Sequence, residues 1–458
     1  MSNESKNKPS FNSRFGYIMV AAGAAIGLGN IWKFPYLAYG NGGGAFVVVY
    51  IVLCFILGHP VVEMESAVGR HAKTNAIDAY GKINKRWKFV GAVNVICTLL
   101  IDVYYIIVSG YVLKYAVAFL LGGNFGADKA AYYHDFISSP VEPLIYAGIL
   151  MIIIVFLLSK GITQLVEKIT KVIMPLLFIL LIVCGVWALF SSDGAFEGLK
   201  FYLIPDFSSF TVKSFADACM QVMFSVGIGW AIFTTLGATM SNDANIKKDS
   251  TWVTICDLAV ALLAGFVIIP SVVGAGSEMS AGPSLVFLAM TDIFAKFPGG
   301  NIIGFFFFAA LIFAVLSTFF TTLEIPVKCV EEKGHMSHKK ATIVTALFVF
   351  CGGVLCSLSQ GSGLLSGVKM PWFVFGEGIV YYNIYDWADC MSGYVLLPLG
   401  CLLTCFYVVF VWGFKDYEKE LTQNGRDGKL SMFSKVVITV VVPILTLVVI
   451  LNCFGFIK

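Results

Sequence analysis

The sequence predicts an all-α polytopic membrane protein, with an inverted five-helix repeat (spans 1–5 and 6–10), broken helices 1 and 6, and an eleventh span. Of the 458 residues, 58% are hydrophobic and only 13% are charged, too few charges for the surface of a soluble protein. Apolar runs of roughly 20 residues, the length that crosses a bilayer as a helix, recur along nearly the whole chain. Paired glycines interrupt two of these runs, and those two runs are five spans apart.

Eleven apolar runs meet this length criterion. They lie near 15–38, 43–69, 88–121, 143–158, 165–190, 213–238, 250–276, 301–330, 339–357, 384–414 and 433–456. We interpret residues 1–458 as a single transmembrane domain. Its first repeat covers about 15–190, its second about 213–414, and the extra span about 433–456.

Basic residues cluster in alternate loops, which predicts the orientation of the chain. The clusters contain Lys6, Lys8 and Arg14; Arg70, Lys73, Lys82, Lys85, Arg86 and Lys88; Lys247 and Lys248; Lys333, Lys339 and Lys340; and Lys415, Lys419, Arg426 and Lys429. The positive-inside rule places these loops and the N-terminus in the cytoplasm. An odd number of spans then leaves the C-terminus outside, in a multi-pass protein of the cell (plasma or inner) membrane.

Composition argues against several other classes of protein. The net charge of +3 gives no indication of nucleic-acid binding. Among the five histidines only His59 lies within a predicted span, and no paired nucleophile and base is evident, so we do not expect an enzyme. Most of the twelve cysteines lie singly inside apolar runs, as small buried hydrophobic residues do.

The two interrupted runs read "GAAIGLGNIWKFP" (23–35) and "FSVGIGWA" (224–231). A break at bilayer depth frees backbone N–H and C=O groups, which cost several kcal/mol each unless protein, water or ligand binds them. Glycine permits such unwinding, although close helix packing alone is a second explanation for each stretch. Breaks at matching places in two halves favour an inverted repeat with a ligand site at the midplane.

Longer motifs carry a resemblance to a known family. They are "AIGLGNIWKFPYLAYGNGGGAF" (25–46), "YIVLCFILGHPVVEMESAVGR" (50–70), Tyr104 and Tyr105, "MQVMFSVGIG" (220–229) and "DWADCMSGYVLLPLGCL" (386–402). Together these resemble the neurotransmitter:sodium symporter family over essentially the whole chain, in the eleven-span form common among bacterial members. A dinucleotide-binding loop is the competing interpretation of "GLG", but no strand precedes it and the third glycine is missing.

The resemblance implies a sodium-coupled secondary active symporter that imports an α-amino acid by alternating access. The substrate carboxylate would bind the N–H groups of Leu28 and Gly29, at a helix N-terminus, and the hydroxyl of Tyr105. The freed carbonyls of Ala25, Phe224, Ser225 and Gly227 would bind its ammonium. Further lining residues are Ile101, Trp230, Thr318 and Thr322. This lining predicts a neutral hydrophobic or aromatic side chain. Gly27 stands where monoamine carriers have an aspartate, so the substrate should bring its own carboxylate.

By family position two sodium ions are expected. Ala25, Asn30, Ser225 and Asp257 would hold one ion. Gly23, Ile26, Ala314, Ser317 and Thr318 would hold the other. Carbonyl, hydroxyl and carboxylate oxygens are the ligands that a hard cation takes.

Asp257 and Asp102 depart from the family pattern. Many members have asparagine at the first position and use chloride, or carry a glutamate one turn later, where this chain has Ala261. We therefore expect that chloride is not needed, the alternative being a protonated, hydrogen-bonded aspartate. Asp102 replaces a small apolar residue near the substrate side chain. It either contacts a polar or cationic substrate group or bonds a neighbouring helix.

The gates follow from the same resemblance. Lys33 and Asp389 would pair across the outer vestibule, with Phe224 as a lid and Asp386 as a rival partner. On the inner side, Lys8 and Phe11 would meet Glu332. A proton-coupled carrier of related fold and a transporter-like sensor without turnover are the alternative functions. Expected partners are an amino acid, sodium ions and the lipid bilayer, and a homodimer is one candidate assembly.

Overall fold

The computed structural model describes residues 11–126, 128–192, 194–276, 284–296 and 298–457. Within them, eight helices are long and apolar enough to cross a membrane. They are Gly44–Ala72, Lys85–Leu120, Glu167–Phe190, Ile246–Gly274, Gly300–Gly334, His338–Leu358, Ile384–Trp412 and Met432–Cys453. The predicted all-helical membrane fold is confirmed.

Two bent helix pairs add further spans, giving up to ten in the described residues. Arg14–Ala25 and Gly29–Gly40 meet at 59°, and Lys129–Ser138 and Glu142–Leu158 meet at 71°. The predicted sixth span is divided into Val212–Val226 and Ile232–Thr239. Both predicted breaks are therefore present, while the count of eleven spans stays a prediction.

Several short elements lie between the spans, where the 20-residue criterion could not detect them. The helices are Ala76–Tyr80, Ala195–Leu203, Leu285–Met290, Thr291–Lys296 and Phe414–Leu421. The strands Met370–Val374 and Gly378–Tyr382 pair antiparallel. This hairpin fastens the end of the last span, because Trp372 stacks on Phe454 at 5.8 Å and Phe375 N–H donates to the Phe454 carbonyl at 2.7 Å.

The two breaks use glycine for different reasons. At the second break the backbone is left-handed, with φ 80° at Gly227, 87° at Gly229 and 64° at Ala231. The first break has no positive φ in the described residues. Its glycines are needed for their size, because a Cβ on Gly29 would lie 2.5 Å from the Phe224 ring. The second break therefore needs the conformational freedom of glycine, and at the first break the close approach of Phe224 accounts for Gly29.

Side chains from neighbouring spans hold the second break in place. The buried Glu65 carboxylate accepts a hydrogen bond from Gly229 N–H at 2.7 Å. The Thr98 hydroxyl donates to the Trp230 carbonyl. A Cβ on Gly229 would come 2.2 Å from the Leu397 carbonyl oxygen, so the tenth predicted span packs directly on this turn. Two of the freed backbone groups are thus bound by side chains inside the protein, as a bilayer requires.

Gly229→Ala should lower the thermal stability of the detergent-purified protein far more than Gly299→Ala. Both glycines have positive φ, 87° and 75°, so each alanine is strained by about 1–3 kcal/mol. Only at Gly229 does the added Cβ meet backbone, since nothing lies within 4 Å of a Cβ on Gly299. Equal losses in the two unfolding temperatures would contradict the packing account.

Candidate functional site

A small cavity of about 10 Å³, room for about one water molecule, lies between the two breaks. Its lining contains the predicted substrate residues Ala25, Leu28, Gly29, Ile101, Asp102, Tyr105, Phe224, Trp230, Thr318 and Thr322, together with Gly27 and Asn30. Of the predicted set, Ser225 and Gly227 are outside the lining. Ser225 lies instead in the Asp257 cluster, and Gly227 packs beside the Trp230 indole.

The predicted carboxylate-binding groups lie together at one end of this cavity. Leu28 N–H, in the first break, donates to the Tyr105 hydroxyl at 3.1 Å. Gly27 leaves little spare room, since a Cβ there would lie 3.2 Å from the same hydroxyl oxygen. The Phe224 and Trp230 rings stack with centroids 6.0 Å apart at the edge of the cavity. These contacts leave little free space around the Leu28 N–H and the Tyr105 hydroxyl.

Asp257 lies at the centre of the first predicted sodium site. The Asn30 amide donates to Asp257 Oδ1 at 2.6 Å and to Ser225 Oγ at 2.8 Å. Ser225 Oγ donates in turn to Asp257 Oδ2 at 2.9 Å. Asn30 Oδ1 accepts from Gly27 N–H at 3.1 Å, which ties the cluster to the first break. Ala25, the fourth predicted ligand, lines the adjoining cavity.

The Asp257 carboxylate is fully buried. Its hydrogen-bond donors in the described residues, Asn30 and Ser225, are neutral, and no basic side chain there forms an ion pair with it. Tyr50 supports the cluster by donating to Ser225 at 2.8 Å, and Gln221 donates to the Gly29 carbonyl at 3.2 Å. A buried carboxylate without a cation costs several kcal/mol, and a sodium ion would offset that cost.

All five residues of the second predicted sodium site lie together. Thr318 Oγ1 is 3.0 Å from the carbonyls of Ile26 and Ala314 and 3.4 Å from that of Gly23. Ser317 Oγ is 2.9 Å from the Ala314 carbonyl. A Cβ on Gly23 would come 2.8 Å from Ser317 Cβ, so glycine allows the two helices to approach. The cluster offers the hydroxyl and carbonyl oxygens that suit sodium, and its role stays a prediction.

The predicted outer ion pair is not formed. Lys33 Nζ lies over the rings of Phe224, at 4.7 Å, and Tyr394, at 5.1 Å. In the described chain no ion pair joins Lys33 to Asp389 or to Asp386. Asp386 is held by Asn383 Nδ2 at 2.7 Å instead. An ammonium over two aromatic faces gains cation–π attraction, so this conformation satisfies Lys33 without the pair.

On the inner side, the predicted pairing of Glu332 with Lys8 stays a prediction. Glu332 accepts hydrogen bonds from the Thr74 hydroxyl at 2.7 Å and from Asn75 Nδ2 at 2.6 Å. Its predicted partner Lys8 lies outside the described residues, and Phe11 packs edge-on against Tyr17 at 5.4 Å. Glu332 therefore holds Asn75, the N-cap residue of the short helix Ala76–Tyr80.

Ion pairs that the sequence did not predict link the chain on the basic side. Arg14 Nε lies 2.6 Å from Asp249 Oδ1, and Arg70 Nε lies 2.6 Å from Glu420 Oε1. Burial raises the pKa of Glu420, but hydrogen bonds from His71 and Arg70 outweigh it, so that pKa lies below its ordinary value. The partners are 235 and 350 residues apart, and no local pattern could have paired them.

A second cavity, of about 420 Å³, opens on the side of the basic loops. Its lining includes Thr163 at the start of the fifth predicted span, Thr239 at the end of the sixth, and Lys328, Glu331 and His338. It shares no lining residue with the central cavity. The two cavities are therefore separate in the present conformation.

Comparison with known proteins gives consistent matches. The model of the sodium:neurotransmitter symporter family matches residues 8–122 and 140–457. An uncharacterized sodium-dependent transporter, YhdH of Bacillus subtilis, is 32% identical over 99% of this chain and 100% of that protein. The GABA transporter 2 of Homo sapiens, described as sodium- and chloride-dependent, is 26% identical over 89% of this chain and 73% of that protein. The crystal structure of MhsT in complex with L-phenylalanine has a TM-score of 0.87 and 32% identity, covering 98% of this chain and 100% of that one.

Asp257→Asn should weaken sodium binding about tenfold or more while the protein still folds. The amide keeps the size of the side chain but removes the charge that would face the ion, and a factor of ten corresponds to about 1.4 kcal/mol. Sodium titration followed by thermal shift measures the effect. Asp217→Asn is the matched control, because that largely buried carboxylate bonds Asn452 at 2.9 Å, away from the cluster. Equal sodium affinity in the two variants would contradict the assignment.

Ser317→Ala combined with Thr318→Ala should abolish sodium-dependent stabilisation, whereas Thr318→Ser should retain most of it. The double variant removes both hydroxyl ligands, and the serine keeps one at the same place. Ser271→Ala controls for ordinary bonding within a helix, since that hydroxyl bonds the Val267 carbonyl at 2.7 Å. If the double variant titrates with sodium as the wild type does, the hydroxyls only bond their own helix.

Proposed function

This chain belongs to the sodium:neurotransmitter symporter family, and we propose that it imports an α-amino acid together with two sodium ions by alternating access. Family membership makes it a sodium-dependent transporter with several membrane spans, and not an enzyme. The proposal goes further by naming the cargo class, the number of ions and the direction of transport. Its N-terminus would lie in the cytoplasm of a cell whose plasma or inner membrane holds the protein.

One observation carries the proposal. Groups suited to a carboxylate and two clusters of oxygen ligands meet at the same pair of helix breaks. Leu28 N–H and the Tyr105 hydroxyl lie in contact, and the first break points the positive end of a helix at them. Asn30 joins this break to Asp257, and Thr318 joins it to the second oxygen cluster. An amino-acid zwitterion is a small cargo that would use both the anion-binding and the cation-binding groups.

Coupling would arise because ion and substrate share neighbours. Ala25 and Asn30, both predicted ligands of the first sodium, also line the substrate cavity. A sodium ion there would attract the substrate carboxylate, so each ligand would raise the affinity of the other by the same factor. Two charges crossing 100 mV release about 4.6 kcal/mol. That supports on the order of a thousandfold accumulation of a zwitterion.

The substrate side chain should be apolar or aromatic. Ile101, Phe224 and Trp230 form the apolar part of the cavity lining. The structural relative MhsT has been crystallised with L-phenylalanine, which supports the same class of cargo here. Gly27 supplies no carboxylate to pair with the ammonium of an amine, which favours an amino acid that brings its own carboxylate. The cavity is too small for any amino acid as it stands, so binding would require the Phe224–Trp230 stack to open.

Chloride should not be required. The chloride-dependent relatives are animal GABA transporters that are 26% identical to this chain. Here the buried Asp257 lies among Ser225, Tyr50 and Asn30 and supplies a fixed negative charge. A bound anion would be repelled from a site that already carries this charge.

Proteoliposomes with an inward sodium gradient should accumulate tyrosine, tryptophan or leucine, and replacing chloride by gluconate should leave uptake unchanged. Tryptophan should inhibit uptake of the transported amino acid at a concentration at least tenfold lower than tryptamine, because only tryptophan brings a carboxylate. Tyr105→Phe should shrink that preference by removing the hydroxyl donor. Tyr111→Phe is the control, since its buried hydroxyl lies on the same helix outside the cavity lining.

Four results would contradict the proposal. Preference for tryptamine would overturn the carboxylate site, and loss of uptake in gluconate would overturn chloride independence. Accumulation driven by a proton gradient without sodium would favour a proton-coupled carrier. Binding without any uptake would favour a sensor.

A further inference from the structure

We propose that Asp102 is a specificity-determining residue, whose carboxylate accepts a hydrogen bond from a donor group on the side chain of the transported amino acid. This inference rests on the proposed function and narrows its substrate class. Cargo would combine an apolar body with an O–H or N–H group that reaches Asp102. A charged donor group on the cargo would be an ammonium, and a neutral donor group would be a phenol or an indole.

The first support is the position of Asp102. It lies in the helix Lys85–Leu120, is fully buried, and lines the central cavity beside Ile101 and one turn before Tyr105. Neither of its carboxylate oxygens has a hydrogen-bond partner of ordinary geometry in the described chain. No basic side chain there forms an ion pair with it. The carboxylate therefore differs from that of Asp257, which has Asn30 and Ser225 as donors.

The second support comes from its neighbours. Thr322, whose hydroxyl interacts with the Asp102 carboxylate, lines the same cavity and is fully buried. Thr322 Oγ1 and Trp230 Nε1 also lack hydrogen-bond partners of ordinary geometry among the described residues. These three buried polar side chains line one small cavity, and together they form an unpaired polar region in its lining. A ligand that enters this space can bind all three.

The alternative role, a bond to a neighbouring helix, would rest on Thr322, which interacts with the Asp102 carboxylate from the span Gly300–Gly334. By distance and angle, however, neither carboxylate oxygen nor Thr322 Oγ1 has a hydrogen-bond partner in the described residues. Polar groups buried in a membrane protein are normally paired, and an ionisable one without a partner marks a substrate or ion pathway. A partner that arrives with the cargo accounts for the present arrangement.

Discrimination should be strong. A site built to bond a substrate hydroxyl or amine rejects the analogue that lacks it, because its own buried groups are then left unpaired. Matched substrate pairs test this directly. Tyrosine and phenylalanine differ by one hydroxyl, and lysine and norleucine differ by one ammonium. The first pair reports a neutral donor and the second a charged donor.

Affinities for these four amino acids should be measured by sodium-dependent binding to the purified full chain, in wild type, Asp102→Ala and Asp102→Asn. We expect the wild type to prefer the donor-bearing member of at least one pair by tenfold or more. Asp102→Ala should bring that ratio close to one. Asp102→Asn keeps a carbonyl acceptor without charge, so it should retain most of a tyrosine preference and lose most of a lysine preference.

Tyr111→Phe provides the matched control, because it removes another buried, unpartnered hydroxyl from the same helix at a place outside the cavity lining. Its ratios should equal those of the wild type. If Asp102→Ala fails to fold, the asparagine variant still separates the charged donor from the neutral one. Monodisperse elution and an unchanged unfolding temperature establish folding.

Two outcomes would overturn the inference. One is a wild type that shows no preference in either pair, binding phenylalanine as well as tyrosine and norleucine as well as lysine. The other is a ratio that Asp102→Ala leaves unchanged. Either result would leave the proposed amino-acid transport intact, since binding itself would be observed. If no amino acid binds in sodium, the proposed function fails, and the role of Asp102 fails with it.

Discussion

The site depends on one constraint, that a helix broken inside a bilayer must have its freed backbone groups bound by something other than lipid. At the second break, Glu65 and Thr98 bind the backbone of Gly229 and Trp230, and Leu397 packs against the turn. At the first break, Asn30 and Tyr105 bind the N–H groups of Gly27 and Leu28. These contacts fix both breaks relative to each other, and cargo-binding groups become available only there.

Polar side chains around the breaks fall into two kinds. One kind is already paired within the protein, as in the cluster of Asn30, Ser225 and Asp257. The other kind, with Asp102 and Thr322, lacks such pairing in the described chain. In our proposal a sodium ion binds the paired cluster and replaces some of its internal hydrogen bonds. The cargo binds the unpaired group. Burying either kind of side chain in a membrane without its ligand costs free energy. Ligand binding offsets that cost, which links transport to ligand binding.

The present conformation is closed around the central cavity. Phe224 and Trp230 stack over it, and Lys33 lies on Phe224 rather than on Asp389. On the opposite side, Arg14–Asp249 and Arg70–Glu420 join segments that are distant in the sequence. Alternating access would require at least one of these sets to separate. The cavity near Thr163 and Thr239 is the place where the inner path would open.

The sequence by itself determined the membrane class, most helix positions and both breaks, because length, hydropathy and motif are local properties. The residues of the two oxygen clusters followed from the resemblance of its motifs to the symporter family. It did not determine the ion pairs at Arg14 and Arg70, the contact of Glu65 with Gly229, or the cation–π position of Lys33. These join residues far apart in the chain, so only the packing of the helices decides them. The role of glycine at the first break was also decided by packing, since the approach of Phe224 to Gly29 is a tertiary contact. The same holds for Asp102, whose lack of a partner becomes visible only when every neighbouring helix is in place.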